Sequence, residues 1–218
     1  MNEMAFSSLP NGSFILASAS LTRAKMLRDS GVAHDLLPVA IDEVELRQAA
    51  QADDMPPEDI AIMLAEMKAR AAVQVRAGVA DTKPAYILGC DQILSSDAGV
   101  LGKPASLDDA RRQLLSLAGK THQLLTAAVL FKGEQRIWHF LARAKMTMRK
   151  FDQDFVDSYL AALGETAFKT PASYQIEGLG AQLFQQIEGC HYAILGLPLL
   201  ELMGFLREHG LAPQKEVT

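Results

Sequence analysis

The chain has 218 residues, which is enough for one hydrophobic core or for one domain with two lobes. Its net charge of -5 argues against a dedicated nucleic-acid-binding protein, and no uncharged apolar run approaches the roughly 20 residues that a transmembrane helix requires. The first fourteen residues contain no signal-peptide core. The two cysteines, Cys90 and Cys190, lack metal-ligand spacing and fit a reducing compartment. We therefore expect one cytoplasmic domain over residues 1–218, with flexible termini at 1–12 and 212–218 and with neither a membrane nor a nucleic-acid polymer as partner.

A short strand and a serine-rich loop begin the ordered part of the chain. Residues 13–17 (SFILA) read as a buried strand, and a helix of about 23–30 follows the loop. A strand that runs into hydroxyl side chains and a helix N-terminus is suited to binding an anion, and Arg23 adds a positive charge. The alternative is that Ser18 and Ser20 only cap the helix, and this stretch by itself favours that alternative.

Acidic residues and a long helix come next. Residues 34–45 read as a second strand that ends in a cluster of acids, including Glu43. Such a cluster is usually solvated, and it indicates a site only if it faces another acid. A helix of about 58–77 follows two prolines. Lys68 lies at the edge of its apolar stripe, where a lysine usually extends to water. The predicted stripe consists of Ile60, Leu64, Met67, Ala71 and Val75.

The middle of the chain is organised around one aspartate. Residues 86–90 form an apolar strand that we predict to end at Asp91, and a turn and a Gly-Lys-Pro sequence containing Lys103 follow. Carboxylates can hold a divalent cation that carries phosphate oxygens, while ammonium groups neutralise the remaining charge. The alternative is a solvated aspartate and a lysine in a turn, and the residues alone do not separate the two because acids at strand ends are common in α/β folds.

The second half of the chain predicts a mixed sheet. Residues 124–131 and 140–148 read as two antiparallel strands, the stretch 173–189 is rich in glycine, and 195–210 reads as a helix. The Gly119-Lys120-Thr121 sequence is not a P-loop, because it ends a helix and lacks the first glycine of that motif. The sequence therefore predicts an α/β fold with a mixed, partly antiparallel, twisted sheet flanked by helices.

Seven segments, in this order, resemble the Maf family of nucleotide pyrophosphatases. They are LASASLTR (16–23), IDE (41–43), Lys68-Ala69, GCDQILSSDAGVLGKP (89–104), AGKTH (118–122), SYQIEG (173–178) and GLPL (196–199). The resemblance implies two lobes around a central cleft, a homodimer, and metal-dependent cleavage of nucleoside triphosphates to monophosphate and pyrophosphate with Mg²⁺ or Mn²⁺. The GCDQ and SYQIEGLGAQLF segments are most similar to the branch associated with 7-methyl-GTP.

The resemblance also implies roles for individual residues. The expected catalytic residues are Asp91, Glu43, Lys68 and Lys103, with Asp91 and Glu43 also holding the metal. The expected substrate-binding residues are Ser18, Ser20, Arg23, Gln92 and Glu177, the last two as contacts to base or ribose. Two other functions remain open at this point: a non-catalytic nucleotide-binding protein that regulates cell division, and a general metal-dependent phosphatase that releases free phosphate.

Overall fold

The computed structural model describes residues 13–77 and 85–212. The termini predicted to be flexible, 1–12 and 212–218, lie outside the described residues except for residue 212. The strands are β1 (Ser13–Leu16), β2 (Asp35–Leu36), β3 (Ala85–Ser96), β4 (Gly99–Leu101), β5 (Thr121–Lys132), β6 (Gln135–Met148) and β7 (Phe184–Glu188). The α-helices are α1 (Leu21–Asp29), α2 (Glu43–Ala52), α3 (Pro57–Ala77), α4 (Leu107–Leu117), α5 (Gln153–Leu163), α6 (His191–Ile194) and α7 (Leu199–Glu208). Three short 3-10 helices lie between α5 and β7, at Gly164–Phe168, Pro171–Ser173 and Leu179–Leu183.

All these strands belong to one mixed sheet. The order is β2-β1-β3-β5-β6-β7, and β4 pairs with β3 off this path. Strand β1 runs parallel to β2 and β3, whereas the pairs β3–β4, β3–β5, β5–β6 and β6–β7 are antiparallel. Helices cover the sheet, and none of them within the described residues is both long and apolar enough to cross a membrane. The predicted α/β class with a partly antiparallel sheet is confirmed.

The central strand, β3, is longer than the sequence predicted. Its parallel pairing with β1 ends at Leu88, but its antiparallel pairing with β5 continues past Asp91, which is opposite Ala127. The prediction that the strand ends at Asp91 is therefore wrong. The sequence analysis took a polar residue as the end of the strand. In the structure the neighbouring strand β1 ends near this level of the sheet, whereas β3 continues. Asp91 consequently lies inside a strand that is buried on both faces.

Helix α3 packs on β3 through small side chains. Its buried residues are Ile60, Ala61, Leu64, Ala65, Lys68, Ala69, Ala72 and Val73. The predicted stripe is wrong for its second half, since Met67 and Ala71 are only partly buried and Val75 is exposed. Alanines carry little hydrophobic signal, yet they let the two backbones approach closely, and this rotates the buried face of the helix towards Lys68. The prediction that this lysine extends to water is wrong for the same reason.

The second predicted strand is mostly irregular and ends in the first turn of a helix. Only Asp35–Leu36 pairs with β1, and α2 begins at Glu43. The side chain of Asp42 caps this helix, because its Oδ1 accepts a hydrogen bond from the backbone N–H of Glu45 at 2.9 Å. An acid followed three residues later by a glutamate is a helix-start signal. The strand prediction for residues 34–45 was wrong because it overlooked this signal.

The last third of the chain follows the prediction with shorter helices. The antiparallel pair is confirmed as β5 and β6, which extend beyond the predicted 124–131 and 140–148. The glycine-rich stretch begins at the last residue of one 3-10 helix, contains the 3-10 helix Leu179–Leu183 and ends in β7, which pairs with β6. The predicted helix over 195–210 is α7, which begins after Pro198, and the short α6 precedes it.

A buried histidine, His122, lies on β5 against the rings of Tyr174 and Phe184. His122 is 2% exposed, and its Nε2 shares a hydrogen bond of 2.9 Å with the hydroxyl of Tyr174. Its Nδ1 has no hydrogen-bond partner among the described residues. Burial lowers the pKa of His122 from 6.5 to about 4, because the charged imidazolium would lose its solvation here. The histidine is therefore neutral in the folded protein at neutral pH.

This histidine makes stability depend on pH. The unfolded chain protonates His122 below its ordinary pKa of 6.5, whereas the folded chain resists protonation down to about 4. We therefore expect the free energy of unfolding to decrease by about 3 kcal/mol as the pH falls from 6.5 to 4, beyond the change shown by a His122→Gln variant. Urea unfolding at both pH values measures this difference. The exposed His139→Gln variant is the control and should follow the wild type; an equal loss in His122→Gln and wild type would contradict the expectation.

Candidate functional site

Two carboxylates converge on one lysine. The ammonium Nζ of Lys68 donates hydrogen bonds to Oδ1 of Asp91 at 2.6 Å and makes an ion pair of 2.9 Å with Oε1 of Glu43. Asp91 is 6% exposed and Lys68 8%, whereas the side chain of Glu43 is 41% exposed. We refer to these three residues as the carboxylate–lysine cluster. It joins β3, α3 and the first turn of α2. Glu43 therefore faces a second acid, Asp91, which is the condition under which the sequence analysis considered it part of a site.

The alternation of β3 explains why the cluster forms on this face of the sheet. Side chains point to opposite faces at successive strand positions, so Asp91 shares its face with Ile87 and Ile93. Both of these isoleucines belong to the core layer beneath α3. Gly89 lies between them, and its missing side chain lets α3 approach until Lys68 reaches Asp91.

The two acids of the cluster differ in their electrostatic surroundings. Burial raises the pKa of Asp91 above its ordinary value, against the attraction of Lys68. Burial also acts to raise the pKa of Glu43, but the charges of Lys68, Lys103 and Arg23 outweigh it and hold that pKa below its ordinary value. Glu43 is thus the more firmly ionised group and Asp91 the stronger proton acceptor. A pair of acids with separated pKa values is typical of acid–base sites.

Arg23 is fixed beside the cluster by several hydrogen bonds. Its Nε donates to the carbonyl of Gly196 at 2.6 Å, and its Nη1 donates to the carbonyl of Cys90 at 3.1 Å and to Oγ of Ser18 at 3.2 Å. The Ser18 hydroxyl also accepts from the backbone N–H of Ser20 at 3.2 Å. The guanidinium is therefore held against the residue that precedes Asp91. Its charge favours the ionised forms of both acids in the cluster.

The structure distinguishes the two serines, for which the sequence left helix capping and anion binding open. Ser20 caps α1, since its Oγ accepts from the backbone N–H of Arg23 at 3.3 Å. Ser18 is buried and positions Arg23 through its hydroxyl. Lys103 is exposed on the loop after β4, and its charge acts on Glu43. Three cations thus lie around the two acids: Lys68 of the cluster, Arg23 of α1 and Lys103 of the loop after β4.

Two of the predicted substrate contacts lie away from the cluster. Gln92 is on the opposite face of β3 from Asp91, and its Nε2 donates to Oγ1 of Thr126 at 2.8 Å and to the carbonyl of Ala193 at 3.0 Å. A carboxylate oxygen of Glu177 lies 3.7 Å from Nε2 of His191, and both side chains are well exposed. Both contacts involve α6, so the structure brings Gln92 and Glu177 to the same helix but not to the carboxylate–lysine cluster.

Thr126 is a residue of this second region that sequence reasoning missed. Its Oγ1 accepts from Gln92 and donates to the carbonyl of Ala193 at 2.8 Å, while the side chain is 1% exposed. Gln92 and Thr126 are directly opposite each other on β3 and β5. A polar pair at one register position in two apolar strands is the signal that predicts such a cross-strand contact.

The donor set of the cluster suits a hard divalent cation that is shared with a ligand. Mg²⁺ is usually held by one or two carboxylates together with substrate phosphates. Asp91 Oδ2 and Glu43 Oε2 make no hydrogen bond within residues 13–77 and 85–212, so both oxygens are left as donors. No group of three or more His, Cys, Asp and Glu residues suited to a metal occurs in that same part of the chain. The fit is therefore to a cation that needs oxygens from a substrate, not to an all-protein metal cage.

The fold and the site together define an α/β protein with two carboxylates and a lysine in contact, beside Arg23. A family model described as Maf-like protein matches residues 13–209, and the chain belongs to this family. The resemblance inferred from the seven sequence segments is thereby confirmed.

Curated relatives match the chain over nearly its whole length. A protein of Paramagnetospirillum magneticum named nucleoside triphosphate pyrophosphatase is 43% identical over 196 residues, which cover 90% of this chain and 98% of the relative. A protein of Mesorhizobium japonicum named 7-methyl-GTP pyrophosphatase is 44% identical over 196 residues, covering 90% and 96%. A second 7-methyl-GTP pyrophosphatase, from Rhizobium meliloti, is 39% identical over 196 residues, again covering 90% and 96%.

Proposed function

We propose that this protein is a nucleoside triphosphate pyrophosphatase, a hydrolase that cleaves nucleoside triphosphates to monophosphate and pyrophosphate in a housecleaning role. The observation that carries the proposal is the convergence of Asp91 and Glu43 on Lys68, beside Arg23. The names of the relatives support the same reaction. The cytoplasm as location and a homodimer as assembly belong to the proposal as well.

The chemistry assigned to the residues follows from their charges and burial. Asp91 accepts the proton of a water molecule whose oxygen attacks the α-phosphorus, and the bond from that phosphorus to the bridging oxygen breaks as pyrophosphate leaves. Arg23 and Lys103 bind phosphate oxygens and offset the negative charge that grows on the leaving group. Because phosphoryl transfer needs little covalent help from the protein, positioning and charge stabilisation account for most of the rate.

Glu43 and Lys68 hold this arrangement together. Lys68 keeps Asp91 and Glu43 at fixed positions on the two sides of its ammonium group. In the proposal, Asp91 and Glu43 also hold Mg²⁺ or Mn²⁺, which when bound supplies positive charge for the phosphate oxygens. Ser18 and Ser20 contribute by orienting Arg23 and the N-terminus of α1, which favours an anion.

Substrate choice is the finer part of the proposal. Two of the relatives are named for 7-methyl-GTP, and we propose this nucleotide as the preferred substrate. Gln92 and Glu177 remain the predicted contacts to base or ribose, on the α6 side of the sheet. An Ala substitution at Gln92 would remove its hydrogen bonds to Thr126 and α6 at the same time, so Glu177 is the cleaner of the two positions for testing specificity.

The test is a product analysis with several nucleotides. GTP, 7-methyl-GTP, dTTP and UTP are incubated with the protein, with and without Mg²⁺, and pyrophosphate and free phosphate are measured separately. The proposal predicts pyrophosphate without free phosphate, dependence on the metal, and the highest kcat/KM for 7-methyl-GTP. Free phosphate as the first product would indicate a general phosphatase. Nucleotide binding with no product would indicate the non-catalytic regulator of cell division.

A further inference from the structure

Arg47 is a cation of α2 that none of the assigned roles includes. It follows Glu43 by four residues, and residues at that spacing lie on the same face of a helix. Leu46 and Ala50, on this face too, pack against the core layer beneath α3. Arg47 is only partly exposed, so its stem runs along the inward side of α2 instead of extending freely into solvent.

The guanidinium of Arg47 lies against the loop that carries Lys103. A Cβ atom added at Gly102 would collide with Nη2 of Arg47 and would lie 2.9 Å from its Cζ. Glycine at this position therefore makes room for the guanidinium. The contact places the charge of Arg47 next to the backbone that leads into Lys103, which is itself close enough to Glu43 to lower its pKa.

Arg47 has no acidic partner to neutralise it. Within the described residues it makes neither a hydrogen bond nor an ion pair, although Asp42, Glu43 and Glu45 lie on the same helix. Its guanidinium presents five N–H donors, and none of them has an acceptor among the described residues. The group is thus suited to a ligand rich in negatively charged oxygens.

We propose that Arg47 binds the β- or γ-phosphate of the nucleotide, as a phosphate-binding residue additional to Arg23 and Lys103. The inference rests on the proposed function, because the anion it assigns is the triphosphate of that substrate. In the proposed reaction Lys103 offsets the charge on the leaving group, and the guanidinium of Arg47 lies against Gly102, directly before Lys103 in the chain. We therefore assign Arg47 to the pyrophosphate that leaves and not to the phosphorus under attack.

The first experiment measures binding of an inorganic anion. Tripolyphosphate is titrated by calorimetry into wild type, Arg47→Gln and Arg112→Gln, the last an exposed arginine of α4 that serves as control. Loss of a charge-assisted contact should weaken binding about tenfold in Arg47→Gln, with no change in the control and none for a nucleoside monophosphate. Unchanged tripolyphosphate affinity in Arg47→Gln, or no binding by wild type, would overturn the proposal.

A second experiment separates direct contact from positioning of Lys103. If Arg47 contacts the anion itself, the losses caused by Arg47→Gln and Lys103→Gln should multiply in the double variant. If Arg47 only positions the loop that carries Lys103, Arg47→Gln should cause no further loss of affinity in the Lys103→Gln background. That result would overturn the proposal. Arg47→Lys, which keeps the charge but not the planar fork, should recover part of the affinity.

The two proposals can fail separately. Wild type that binds tripolyphosphate through Arg47 but releases no pyrophosphate would contradict the enzymatic function and leave the anion site in place. If wild type releases pyrophosphate and the KM of Arg47→Gln equals that of wild type, the enzymatic function stands and the role of Arg47 is contradicted.

Discussion

Replacing Asp91 by asparagine is expected to lower the turnover of nucleoside triphosphates by on the order of 10²-fold or more, with the fold retained. The amide has nearly the shape of the carboxylate and its oxygen can still accept a hydrogen bond from Lys68. It cannot accept a proton from water, and it is a poorer ligand for a divalent cation. The rate is measured as pyrophosphate release at saturating nucleotide, and the thermal unfolding midpoint checks the fold.

The control for this variant is Asp97→Asn. Asp97 is an exposed aspartate in the turn between β3 and β4, only six positions after Asp91 on the same hairpin. Its replacement changes the net charge of the protein by the same amount and should leave turnover unchanged. Turnover within about threefold of wild type in Asp91→Asn would remove Asp91 from the proton transfer.

Replacing Gly89 by alanine is expected to destabilise the protein by about 3 kcal/mol or more, at the upper end of the usual cost of overpacking. The added Cβ would collide with the carbonyl oxygen of Ala65 and lie 2.8 Å from the backbone nitrogen of Ala69. Both atoms belong to the backbone of α3, so no side chain can rotate away to make room. Relief requires α3 to move off β3, and Lys68 would move with it away from Asp91.

Urea unfolding measures the loss, and Gly204→Ala provides the matched control. Gly204 lies inside α7, where an added Cβ would meet no atom within 4 Å. Alanine there should stabilise the protein by about 1 kcal/mol, because glycine is a poor helix former. The same substitution should thus have opposite effects at the two positions. An unfolding midpoint of Gly89→Ala equal to that of wild type would contradict the close packing of α3 on β3.

The residues of the site could be predicted from the sequence, but their surroundings could not. Asp91, Glu43 and Lys68 were identified by the motifs that contain them, and the structure brings them together. The motifs do not state that Asp91 lies within a strand. That fact depends on β5 continuing beside β3 after β1 has ended, which is a property of the assembled sheet and not of the local sequence.

Lys68 was misjudged because hydrophobicity was taken as the measure of burial. The buried face of α3 is made largely of alanines, which score low on hydrophobicity but permit close helix–sheet contact. Glu43 was misplaced on a strand although the spacing of Asp42 and Glu45 signals a helix start. Gln92 could have been separated from Asp91 by strand alternation alone, since adjacent strand residues face opposite sides of a sheet.

A double-mutant cycle on Asp91 and Glu43 tests most directly whether the carboxylate–lysine cluster works as one unit. Turnover is measured for Asp91→Asn, Glu43→Gln and the double variant. Groups that act together are non-additive, so we expect the double variant to be only slightly slower than the slower single variant. A double variant whose loss equals the product of the two single losses would contradict the account, because the two acids would then act independently.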